Sequence, residues 1–66
     1  MDKKIIFGKR LKSAREMKGL SMANLVEMMA DIVSKQAISK YEAGKMLPDS
    51  TVLIKLAEVL GVKSLY

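Results

Sequence analysis

Apolar residues recur along this chain at helical rather than strand intervals. Phe7, Leu11, Ala14 and Lys18 fall at i, i+4, i+7 and i+11, one stripe of a helix whose other faces carry Lys9, Arg10, Lys12 and Arg15. Gly19 supplies a left-handed stop. Ser21 stands directly before the next periodic run, Leu25, Met28 and Met29, and can cap a second helix extending to about Ala30. Ile32 and Val33 are β-branched and suit a connection that re-enters the core. Ser34 can then cap a short third helix over about Lys35 to Ala43, with Ala37, Ile38 and Tyr41 available to the core and Gly44 ending it. After Pro48, the only proline, Asp49 or Ser50 can cap a fourth helix with Val52, Leu53, Leu56, Ala57 and Leu60 on its buried side. Gly61 stops it, and a further short turn is expected to begin near Ser64.

No alternation of period two lasts long enough for a strand. The expected class is therefore all-α, a compact bundle of four or five helices joined by loops of about two to six residues. With 66 residues, half of them apolar, residues 1–66 make a single small domain. Such a chain buries only about 60% of the surface its unfolded form exposes, so its core must be compact. Five methionines after the initiator, at 17, 22, 28, 29 and 46, read as gap fillers in that core.

Composition removes whole classes of chemistry. The absence of Cys and His excludes disulfides, thiol catalysis, Cys/His zinc sites and a histidine base. The one pair of acids at helical spacing, Glu27 and Asp31, straddles the end of the second helix, so an enzyme is not expected. Neither is a cofactor, a metal or a small-molecule ligand. No segment approaches the roughly 20 apolar residues that span a bilayer, and the natural expectation is a soluble cytoplasmic protein.

The net charge of +5 favours a polyanionic partner, and its placement says more than its size. Residues 1–18 hold seven basic and two acidic groups, residues 19–33 none and two, and residues 34–45 three and one. On the third helix Lys35, Gln36, Ser39, Lys40 and Ala43 fall at i, i+1, i+4, i+5 and i+8, an outward face. Glutamine can bond adenine N6 and N7 together, and lysine can donate to guanine O6 or N7, so this face has the chemistry that reading base edges requires. Lys3, Lys4, Lys12 and Lys55 read as solvated charges, and Tyr41 as a core aromatic rather than a stacking platform. A membrane-surface helix is disfavoured because Gly8 and Ala14 break the apolar face of the first helix.

From SMANLVEMM to SKQAISKYEAGK, about residues 21–44, the chain resembles the helix-turn-helix of the lambdoid phage repressors, the Cro proteins and the bacterial Xre-type regulators. GKRLKSAREMKGLS resembles the first helix of that family, and LPDSTVLIKLAEVLGV its fourth helix and exit. The resemblance implies a sequence-specific regulator of bacterial or phage origin, acting as a repressor on a double-stranded DNA operator. The second helix of the motif would lie in the major groove. Lys35, Gln36, Ser39 and Lys40 would then meet bases, foremost Gln36 and Lys40. Ser21, Met22, Arg10 and Lys45 would meet phosphates.

The resemblance also implies that Arg15 and Glu42 pair across helices one and three, and that Leu25, Val26, Met29, Val33, Ile38 and Tyr41 lie where the motif's helices touch. A homodimer, at least on DNA, is implied as well, with Leu65 and Tyr66 as apolar candidates for its surface and a possible continuation into a longer regulator. Three features depart from the family pattern. The connection through Ala30, Asp31 and Ile32 is about two residues longer than the commonest form, Val26 stands where a small Ala is frequent at close helix contact, and Met22 stands where Gln is frequent. The alternative is a protein-interaction or antitoxin-type module on the same fold.

Overall fold

The computed structural model describes residues 2–65, and among these there are helices and no strand. In chain order the helices are α1 (Lys3–Met17), α2 (Met22–Met28), α3 (Lys35–Glu42) and α4 (Ser50–Leu60). Each begins at a side-chain cap that satisfies a backbone N–H left without an intrahelical acceptor. Asp2 accepts from the Lys4 N–H at 2.8 Å, Ser34 from the Ala37 N–H at 3.0 Å, and Asp49 from the Val52 N–H at 2.9 Å. The cap of α4 is thus Asp49, with Ser50 as the first helical residue. At α2 the cap is reciprocal: Ser21 Oγ accepts from the Asn24 N–H at 3.0 Å and Asn24 Oδ1 from the Ser21 N–H at 3.3 Å.

The core is built from Phe7, Leu11, Leu25, Met29, Ile38 and Leu56, all fully buried. It is extended by Val33, Tyr41, Leu60 and Leu65. Helix α3 packs on both α1 and α2. That arrangement fixes α3 from behind and leaves one of its flanks uncovered.

Several expectations need correction. Helix α2 stops at Met28 rather than near Ala30, because Ala30 and Asp31 adopt left-handed backbone angles, φ 53° and 59°. Their amides close the helix end by bonding back, Ala30 N–H to the Glu27 carbonyl and Asp31 N–H to that of Val26. Met28 does not join the buried run: Leu25 and Met29, four apart, take the inward face and leave Met28 46% exposed. Met17, expected to fill the core, is 87% exposed on the outer side of α1. Of the β-branched pair after α2 only Val33 enters the core, while Ile32 faces outward. Past Gly61 there is no fifth helical turn among the described residues; the chain folds back so that Leu65 is 2% exposed, which removes it as a free dimer surface. Tyr66 lies outside the described residues.

Candidate nucleic-acid interface

The geometry of α3 follows from how closely α1 can approach it. Gly8 sits mid-helix in α1 and is buried against the C-terminal turn of α3. A β-carbon there would run into the Tyr41 carbonyl oxygen and lie 2.9 Å from that of Glu42. The missing side chain is what lets the two backbones meet. Next to this crossing the Phe7 and Tyr41 rings pack edge to face, with centroids 6.0 Å apart and planes 81° apart.

Two turns further along α1, Arg15 closes the same crossing with charge. Its Nε donates to Glu42 Oε2 at 2.8 Å and its Nη2 to Glu42 Oε1 at 3.1 Å, a two-pronged pair between α1 and α3. Nη1 donates to the Leu20 carbonyl at 2.8 Å, so the same guanidinium also holds the turn that leads into α2. Both side chains are largely shielded, 11% and 5% exposed. The hydrogen bond to Glu42 raises the Arg15 pKa above its ordinary value, outweighing the opposing effect of burial.

With Ile38 and Tyr41 turned inward and Glu42 held by Arg15, the opposite side of α3 is open. Lys35, Gln36, Ser39 and Lys40 are all exposed and share one face. None of these four side chains makes a hydrogen bond or ion pair within the described residues. Ser34, the cap, presents this face at the first turn of the helix. The arrangement is a row of amide, hydroxyl and ammonium groups on a braced cylinder, which has the donors and acceptors that base edges match.

The residues expected at phosphates are more scattered. Lys45 is exposed just past α3. Arg10 is exposed on a flank of α1 that shares a depression with Lys3, Ile6 and Leu47. Ser21 is exposed, but its N–H and hydroxyl are both engaged with Asn24. Met22 is half-buried and packs against the core, so its side chain turns away from solvent.

Three features of this region were not evident from the sequence: the Gly8 contact, the Arg15 bond to the Leu20 carbonyl, and the role of Asn24 in capping α2. Gly8 did leave a signal, since a glycine inside a helix costs about 0.5–1 kcal/mol relative to Ala and persists where a side chain cannot fit. Asn24 stands three residues after Ser21, the position of the polar partner in a capping box.

Comparison with known proteins gives this geometry its relatives. The family model for the helix-turn-helix matches residues 11–66. The SPbeta prophage-derived uncharacterized HTH-type transcriptional regulator YonR of Bacillus subtilis (strain 168) is 39% identical over 59 residues. That alignment takes in 89% of this chain but 53% of YonR, so the chain spans about half the length of that relative. The crystal structure of the restriction-modification controller protein C.AhdI from Aeromonas hydrophila superposes with a TM-score of 0.81 at 27% identity, covering 91% of this chain and 88% of that one. On the match over residues 11–66, and with the same fold in a solved relative, the chain belongs to the helix-turn-helix family.

Proposed function

We propose that this domain binds duplex DNA sequence-specifically and serves as a transcriptional repressor, with α3 lying in the major groove. The observation that carries the reading is the uninterrupted outward face of Lys35, Gln36, Ser39 and Lys40, on a helix held from behind by Ile38, Tyr41 and the Arg15–Glu42 pair. Gln36 is assigned to adenine and Lys40 and Lys35 to guanine, with Ser39 as a permissive donor or acceptor. Lys45 and Arg10 neutralise phosphates, joined by the main chain around Ser21 and Met22 at the start of α2. The relative named as a transcriptional regulator and the neighbour named as a controller protein support the same role. One copy reads only a few base pairs, so two copies act together on half-sites about 34 Å apart.

The test is binding of duplex by the double variant Gln36→Ala, Lys40→Ala. Each well-placed base contact discriminates by about 1–3 kcal/mol, so losing two should weaken binding to the preferred sequence by roughly 30-fold or more. The helical circular-dichroism spectrum should not change, because both side chains are exposed and neither makes a hydrogen bond or ion pair within the described residues. Unchanged affinity would overturn the assignment of the reading face and leave a protein-binding module as the use of this fold.

A further inference from the structure

The polar side chains on the outward face of α3 are rich in donors and poor in acceptors. Lys35 and Lys40 can only donate. The one carboxylate of the helix, Glu42, is withdrawn into its pair with Arg15 and is 5% exposed. What remains to accept is the Gln36 amide oxygen and the Ser39 hydroxyl. Of these two, only the amide carries an acceptor and a donor side by side, the arrangement that matches adenine N6 and N7 together. Gln36 stands in the first turn, the part of a reading helix that meets base edges. Ser34 Oγ accepts from the Ala37 N–H at 3.0 Å, which fixes the helical backbone on either side of Gln36. The Gln36 side chain is exposed and makes no hydrogen bond within the described residues, so both ends of its amide are left for a partner.

That division of labour has a chemical consequence at one atom. In a paired adenine, one N6 hydrogen is bonded to thymine and the other projects into the major groove. A methyl group on N6 must take the groove position, because the other hydrogen is needed for pairing. It removes the hydrogen that Gln36 Oε1 accepts and puts a carbon where that oxygen would approach, while N7 stays as it was. We infer that α3 senses methylation of adenine N6: the domain binds its operator when the adenine contacted by Gln36 is unmodified and releases it when that amine carries a methyl group. The inference rests on the reading of α3 as a DNA-binding helix and adds to it a means of regulation. The two lysines confer no such sensitivity. A methyl group at C5 of cytosine leaves O6 and N7 of the paired guanine available, and occupies only the place that the thymine methyl already takes.

The test uses the whole chain and the duplex it selects from a random pool, resynthesised with one replacement at the adenine whose enrichment depends on Gln36. With N6-methyladenine there, the native protein should bind about tenfold or more weakly, the loss expected when a two-pronged base contact fails. Purine lacking the amine and 7-deazaadenine each remove one prong without adding bulk, and each should weaken binding in part. Gln36→Ala should bind all four duplexes alike, with its helical spectrum unchanged. Replacing the cytosines opposite the contacted guanines by 5-methylcytosine should leave native binding as it was. Native affinity indifferent to the N6 methyl would overturn the inference, and Gln36-dependent selection would then leave the DNA reading standing. An equal loss with 5-methylcytosine would reduce the effect to exclusion by bulk, and an equal loss in Gln36→Ala would place the sensing elsewhere; either result sinks the inference. Selection of no sequence by the native protein would remove the DNA reading and the inference together.

Discussion

Arg15 is the point at which three parts of the chain meet: α1, the turn entering α2, and the end of α3. Removing one partner of a shielded ion pair leaves the other without compensation, which outweighs what the pair itself contributes. Glu42→Ala should therefore cost about 3 kcal/mol in urea unfolding. Replacing Arg15 and Glu42 together with apolar residues should cost less than either loss alone.

Tyr41 gives a second test at this scale. Burial, and secondarily the charge of Asp49, raises its pKa above the ordinary 10.0. In the unfolded chain the hydroxyl ionises near that ordinary value, so above it the unfolded state releases the proton first and stability falls as pH rises. Below it Tyr41 adds no slope. The decline in stability between pH about 10 and the raised pKa should be smaller in Tyr41→Phe, measured by denaturant unfolding across that range.

At the scale of elements, the helices were legible and their joints were not. The spacing of Phe7 and Leu11, of Leu25 and Met29, and of Ile38 and Tyr41 marks the inward faces, and Ser21, Ser34, Asp49 and Gly61 mark the ends. What escaped is set by tertiary approach or by backbone angle. Nothing local in Ala30 or Asp31 announces a left-handed conformation, since both are side-chain-bearing residues that visit it at a cost of about 1–2 kcal/mol each. Ala30→Gly should relieve part of that cost and stabilise the fold by about 0.5 kcal/mol, offset in part by the greater freedom of glycine when unfolded. Gly8 is the converse case. Gly8→Ala improves helix propensity yet forces α1 away from the Tyr41 and Glu42 carbonyls, and should destabilise by about 1–3 kcal/mol in thermal unfolding. The outward face of α3 was readable because inward and outward positions on so short a helix are fixed once Ile38 and Tyr41 are placed. The direction of Leu65 was not, because a single leucine after the last helix has no periodic neighbours to orient it.

For the whole molecule, the fold works as a mount for one helix. Its core holds α3 through Ile38 and Tyr41, its ion pair fixes the far end of α3, and its positive charge draws the whole toward a polyanion. The most direct test is selection of bound sequences from a random duplex pool at a fixed salt concentration, run with the native protein and with Gln36→Ala. The native protein should enrich a two-fold symmetric sequence with half-site centres about 10 base pairs apart, and Gln36→Ala should lose preference at an adenine-bearing position while keeping the rest. Enrichment of no sequence by the native protein, or of the same sequence by both, would contradict the account.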